Sequence, residues 1–341
     1  MSQNVLKNNP RALNFELLRV LSILSIVLGH LYAVGNNMPN PICMLGDVNC
    51  FVLISGYFMI QGKFKSQRFL RLAIETIFYC FIITLIFILA GAHLGLADLA
   101  KSLIPFAPHS YSYWFINKFL ALLLLQPFIS KLIGLLNRRQ FEVLLAVMYL
   151  LNSELVMGFP LSAIFDNGWS LPWMITVFLT GGYIRMYNPL STFRYWGMAW
   201  AVAATVCFIC IHYNIRPFHL AYNQWFFIAK SVCMFMWIRS ISIGPDSILG
   251  KVTAFLSPNV LSVYLIHSQH LMIIWLLGVG CMLTAGHSAV ATFALWCAFG
   301  VVVIVGCTLI DKFRCAAFRK LGISAAIDNL GRRIDEKLAL G

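Results

Sequence analysis

The sequence predicts an all-α, polytopic membrane protein of about ten transmembrane helices with both termini on the cytoplasmic side. Three observations carry that prediction. The 341 residues are 60% hydrophobic and only 11% charged, with a mean hydropathy of +0.81, more apolar side chain than a soluble core of this length can hide. Apolar stretches of roughly 20 residues, long enough to cross a bilayer, follow one another along the chain. The lysines and arginines alternate between the connecting segments as cytoplasmic loops require.

In chain order the apolar stretches lie at about 14–36, 45–61, 70–92, 111–136, 141–160, 171–188, 195–213, 222–241, 255–283 and 287–311. The first opens behind basic residues, as a secretory signal does, but the pattern continues into the later stretches, so it reads as an uncleaved helix. The second is short and holds Ser55 and Gly56 in FVLISGYFMIQG. The third begins at Arg68 and Arg71 in GKFKSQRFLRL. Lys118 in the fourth and Lys230 in the eighth are the basic residues left inside later stretches. The ninth is long enough to contain a break, for which Gly278 and Gly280 are the candidates. After the tenth, Ile327, Leu330, Ile334 and Leu338 fall at helical spacing among charges, which predicts an amphipathic helix on the inner membrane surface. The organisation is thus a cytoplasmic segment 1–13, one membrane domain 14–311 and a basic, amphipathic cytoplasmic tail 312–341. No soluble domain is expected at either end.

The charges support this topology. Lys7, Arg11 and Arg19 precede or open the first span, while Lys63, Lys65, Arg68 and Arg71 follow the second. Lys131, Arg138 and Arg139 lie at or beyond the inner end of the fourth, Arg185 and Arg194 of the sixth, Arg239 and Lys251 of the eighth, and a basic run follows the tenth. The net charge of +13 is accounted for by this arrangement and by anionic lipid, with no call for nucleic acid. The ten cysteines lie mostly inside apolar stretches, with Cys207 and Cys210 alone at C-x-x-C spacing, and read as small hydrophobes.

Polar side chains inside apolar helices are costly and mark candidate sites. On the first span Glu16, Arg19 and His30 can share roughly one face, with His30 roughly 16 Å deeper than Arg19. Arg68 and Arg71, one turn apart, suit a phosphate through forked, charge-assisted hydrogen bonds, and ordinary inside anchoring explains them equally. Gly56 permits close backbone approach, either of a narrow ligand or of another helix. In the ninth stretch, SVYLIHSQH places His267 at about the depth of His30, with His270 three residues on. Further Asp, Glu, Cys or His ligands at that depth are not evident, so no metal is expected. The outward loops combine aromatics with amides and carboxylates, among them Tyr111, Tyr113, Trp114, Asn152, Asp166 and Trp173. Such a mixture suits sugars, although interfacial belts use the same residues.

In order along the chain, Arg19-x10-His30 with Glu16 ahead of it, SGYFM at 55–59, Arg68-x-x-Arg71, YWFINKFLALLLLQPFI with Trp114, Lys118 and Pro127, FLTGGYIR at 178–185 and SVYLIH at 262–267 resemble the acyltransferase-3 family of integral-membrane O-acyltransferases. That resemblance runs nearly end to end. It implies transfer of an acyl group, most often acetyl, from cytoplasmic acyl-CoA to a hydroxyl outside, on O-antigen, capsule or another envelope glycan, in a bacterial inner membrane. Acetyl-CoA would be the donor substrate, and a surface polysaccharide or lipid-linked glycan the acceptor. Within it, Arg68 and Arg71 would hold CoA phosphates, with Ser55, Gly56 and Tyr57 lining the donor path. His30 would be the general base, Glu16 and Arg19 would set its surroundings, and His267 would orient the acceptor or stabilise the oxyanion. Trp114, Lys118 and His270 are the acceptor-side candidates. An acyl-histidine intermediate and a succinyl donor stay open. The rival reading is a transporter or flippase of a lipid-linked glycan, with the histidines as a proton relay.

Overall fold

The computed structural model describes residues 10–33, 45–104, 113–153, 168–189, 192–213, 215 and 221–338. Their regular structure is helical, with no strands among the described residues. In chain order α1 (Pro10–Leu28) runs into a π turn (Gly29–Ala33), and α2 (Val48–Met59), α3 (Ser66–Leu89), α4 (Leu96–Ser102) and α5 (Trp114–Leu135) follow. Next come α6 (Arg138–Asn152), α7 (Leu171–Tyr187), α8 (Trp196–His212), α9 (Trp225–Ser240) and α10 (Ile248–Leu256). A 3₁₀ turn (Ser257–Asn259) leads to α11 (Val260–His267), α12 (His270–Thr284), α13 (Ala289–Lys320) and α14 (Ile323–Leu338).

Local chemistry sets the helix ends. Asp47 accepts the Asn49 and Cys50 amides to start α2, Asn137 and Gln140 form a capping box on α6, and Ser170, Ser247 and Ser288 cap α7, α10 and α13. Asn188, at φ 42°, closes α7 in the left-handed conformation. Five helical stretches are long and apolar enough to cross a membrane: Leu13–Leu31, Ser66–Leu89, Trp114–Leu135, Ile248–His267 and Ala289–Lys320. Val48–Met59, Trp196–His212 and His270–Thr284 are shorter apolar helices. The chain is a helical membrane protein.

Three expectations about the elements are corrected. The break in the ninth stretch falls at Ser268 and Gln269 instead of Gly278 and Gly280, because the Gln269 side chain accepts the Leu271 and Met272 amides and starts a new helix there. Both glycines lie inside α12, where Gly280 is the seat of the Trp296 indole. The last long helix does not stop near 311 but continues to Lys320, since Asp311 and Arg314 are buried by partners instead of reaching water. The first helix does not keep an α repeat through His30, which lies in the π turn, a wider coil frequent at functional sites.

The chain divides into two compact units, one of Met1–Gly29, Met38–Gly62 and Phe128–Pro258, the other of His30–Asn37, Lys63–Pro127 and Asn259–Gly341. Divisions fall at the π turn, after Gly62, at Pro127 inside α5 and after Pro258. In the first unit α2 lies tightly on α7. A Cβ built on Gly56 would stand 1.9 Å from the Phe178 carbonyl oxygen, and one on Gly181 would stand 2.2 Å from that of Leu53. Trp200 stacks on Trp237 at 5.1 Å to join α8 and α9. In the second unit Trp296 of α13 fills the space above Gly280 of α12.

The α2–α7 contact yields a stability prediction. Gly56→Ala must push two backbones apart, and overpacking of this kind costs about 1–3 kcal/mol or more. A thermal melt in detergent should show the loss, with Gly278→Ala as the control, since nothing lies within 4 Å of the Cβ it adds. An unchanged melt for Gly56→Ala would refute the tight contact.

Candidate active site

The second unit builds a histidine pair. His267 is the last residue of α11 and is fully buried, whereas His30, in the π turn, keeps part of its surface open. His30 Nδ1 lies 3.1 Å from His267 Nε2, with ring centroids 5.3 Å apart. His267 Nδ1 lies 2.6 Å from the Val263 carbonyl oxygen. A carbonyl oxygen only accepts, so Nδ1 of His267 carries its proton, and in the neutral ring Nε2 is then an acceptor. His30 Nδ1 must therefore be the donor between the rings. Its Nε2 is left with a lone pair, the arrangement a general base requires. The Ser268 hydroxyl also lies 3.2 Å from His267 Nε2.

This bonding bears on what His267 can offer a substrate. With one nitrogen donating to Val263 and the other accepting from His30, neutral His267 has no N–H left to offer an oxyanion. Its Nε2 faces His30 Nδ1 as an acceptor.

At the start of α3, Arg68 and Arg71 are both exposed. Arg71 Nη2 donates to both oxygens of Asp328 on α14, at 2.7 and 2.9 Å. The tail helix is thus docked on α3, with Ile327 and Gly331 buried, while Leu330 and Leu338 are exposed.

In the first unit Glu16 and Arg19 form a 2.8 Å ion pair one turn apart on α1. Tyr57 is buried beside Phe15 and Phe235, with the Arg185 guanidinium 5.1 Å and the Arg239 guanidinium 5.6 Å from its ring centre. Arg185 also donates to the Tyr57 hydroxyl at 3.4 Å, and Arg239 to Asn188 Oδ1 at 2.5 Å. The Ser55 hydroxyl donates to the Phe51 carbonyl at 2.8 Å, within its own helix. The idea of a ligand passing over Gly56 is corrected, because the Phe178 backbone occupies that space.

The acceptor-side candidates do not form one group. Trp114 and Lys118 lie one turn apart on α5 and are half-buried. His270 is exposed at the start of α12, and the break at Ser268 and Gln269 separates it from buried His267. Tyr113, Asn152 and Trp173, read as loop groups suited to sugars, are internal. The Tyr113 hydroxyl donates to the Leu265 carbonyl at 2.5 Å, Trp173 Nε1 to Asn49 Oδ1 at 3.1 Å, and the Asn152 amide to Thr176 at 3.2 Å. Tyr111 and Asp166 lie outside the described residues.

Two buried ionic clusters escaped the sequence reading. In the second unit Asp311 accepts from the Tyr79 hydroxyl at 2.6 Å, Asn259 Nδ2 at 2.5 Å and Arg314 Nε at 2.6 Å, while Arg314 Nη2 reaches Glu75 at 2.9 Å. In the first, Lys230 Nζ pairs with Asp47 Oδ2 at 3.1 Å, both side chains almost fully buried, and the Ser231 hydroxyl donates to the same oxygen at 2.8 Å. A lysine alone inside an apolar stretch was the available signal for the second cluster. Among the described residues no group of three or more His, Cys, Asp or Glu is placed to hold a metal ion.

A family model described as an acyltransferase domain matches residues 13–312. No curated protein and no solved structure matches the chain.

Proposed function

The chain belongs to the acyltransferase-3 family, and from that premise we propose that this membrane acyltransferase moves an acyl group, acetyl first among them, from cytoplasmic acyl-CoA to a hydroxyl of an extracytoplasmic glycan such as O-antigen, capsule or another envelope polysaccharide. The observation that carries the reading is the ordered pair His30–His267, which leaves His30 Nε2 unprotonated at a partly open position. The acceptor O–H proton passes to His30 Nε2 as the hydroxyl oxygen attacks the thioester carbonyl. The C–S bond then breaks, the acyl ester remains on the glycan, and the imidazolium returns the proton to the CoA thiolate. His267 accepts from His30 Nδ1 throughout and holds the ring in register. Acid–base chemistry of this kind needs no metal.

Arg68 and Arg71, exposed and charged at the start of α3, bind phosphates of the donor in this reading. Trp114, Lys118 and His270 stay on the acceptor side of this reading, and Gly56, covered by the Phe178 backbone, leaves the donor path. About ten crossings with both termini in the cytoplasm fit the alternation of basic residues. A reporter fused after Leu338 that reads as external would overturn that topology.

The function is tested by supplying labelled acetyl-CoA and glycan to purified protein in detergent. Label is expected in the glycan as an alkali-labile ester, with free CoA released in equal amount. Glycan movement across liposomes without acyl-CoA, and no ester formed, would replace the enzyme by a flippase.

A further inference from the structure

Resting on the reading of Arg71 as a phosphate ligand of the donor, we infer that Asp328 of the tail helix α14 is a positioning residue of the donor site, presenting the Arg71 guanidinium to a phosphate of acyl-CoA. The tail helix lies beyond the residues that the family model matches, so the family resemblance says nothing of it. Its contacts are nonetheless specific. The N-cap position of α3 is Lys65, which offers no capping acceptor, and the Ser66 amide donates instead to Asp335 Oδ1 of α14 at 2.9 Å. The Gln67 side-chain amide reaches the Asp328 carbonyl at 3.4 Å. A Cβ on Gly331 would stand 2.4 Å from Gln67 Cγ and 2.9 Å from its backbone nitrogen, so the two backbones touch where only glycine fits. Asp328 and Asp335 of α14 thus face the start of α3, while Arg332 and Arg333 are exposed.

The pairing of Arg71 with Asp328 has the form of an orienting contact. Both carboxylate oxygens bind the same nitrogen, Nη2, which leaves Nε and Nη1 without a protein acceptor among the described residues. Arg71 and Asp328 remain 53% and 39% exposed at their side chains, so a ligand can reach them, and an ion pair this open adds little to fold stability. What it supplies is restriction of a long, rotamer-rich side chain before the ligand arrives. Pre-ordering one such side chain changes an affinity by about three- to ten-fold.

The test is steady-state kinetics with acetyl-CoA varied at saturating glycan. Arg71→Gln should raise KM for acetyl-CoA. Asp328→Asn should raise that KM by about three- to ten-fold with kcat unchanged, and Asp328→Glu, which keeps the carboxylate, should recover most of the loss. In the Arg71→Gln background Asp328→Asn should add nothing further, which a general loosening of the tail would not reproduce. If Arg71→Gln raises KM but Asp328→Asn leaves it unchanged, or lowers it because the carboxylate competes with phosphate, the positioning role is wrong and the donor site stands. If Arg71→Gln leaves KM unchanged, the donor-site reading itself fails and the positioning role falls with it.

Discussion

His30→Ala should lower acyl transfer by about 10²- to 10⁴-fold, the contribution of a positioned general base, while the variant purifies and melts like the parent. The imidazole is half-buried and its described hydrogen bond is to His267, so its removal leaves little of the fold unsupported. His267→Ala should fall less steeply, because His30 keeps its basic nitrogen but loses the acceptor that holds its tautomer. His267→Gln separates orientation from charge, since an amide oxygen can still accept from His30 Nδ1. Measured as label entering glycan from acetyl-CoA, the order of activity should be parent, then His267→Gln, then His267→Ala, then His30→Ala. If His267→Ala proves as inactive as His30→Ala in folded protein, His267 itself handles a substrate proton. If His30→Ala retains full activity, the base lies elsewhere.

The largest stability effect is expected at Arg314. Its guanidinium is 6% exposed and joins Asp311, 2% exposed, to Glu75. Arg314→Ala leaves two carboxylates facing each other with no cation between them, and breaking a buried pair of this kind costs about 3–5 kcal/mol. Asp311 also receives Tyr79 and Asn259, so the damage spreads over the start of α11, α3 and α13 at once. Thermal melts in detergent should show Arg314→Ala far below the parent and Arg314→Lys in between, since an ammonium keeps the charge but not the fork. The exposed neighbour Arg319 supplies the control, and Arg319→Ala should leave the melt unchanged. Equal melts for Arg314→Ala and Arg319→Ala would sink the account.

The candidate pair was legible in the sequence because imidazoles stand out in apolar surroundings, and helical rise alone put His30 and His267 at similar depth. The way they bond was not, since it depends on a carbonyl at Val263 that no composition reveals. The break after His267 was illegible for a related reason. Spacing assumes an unbroken helix, and the break at Gln269 is made by a side chain folding back onto its own backbone. Gly56 was ambiguous from the start, as the absence of a side chain suits a ligand and a neighbouring helix equally, and the Phe178 carbonyl decides for the helix. Arg314 was assigned to the inner face by a rule that counts charges and takes no account of partners distant in sequence. Asp328 was hidden similarly, since periodicity shows that the tail has two faces but not that one of them meets α3.

The break at Ser268 and Gln269 has a consequence for charge during turnover. It makes His267 the last residue of α11, so the carbonyl-rich, negative end of that short helix is at the imidazole. In the proposed reaction a proton taken by His30 would place a positive charge beside this neighbour. A continuous helix would give each of those carbonyls an amide from the next turn. The interrupted one keeps a partial negative charge in its last turn, where His267 Nδ1 meets the Val263 carbonyl, and such an end is worth about 0.3–1 kcal/mol to a nearby cation when exposed and up to about 2 when partly buried. In the proposed reaction that end would favour the charged pair over the neutral one.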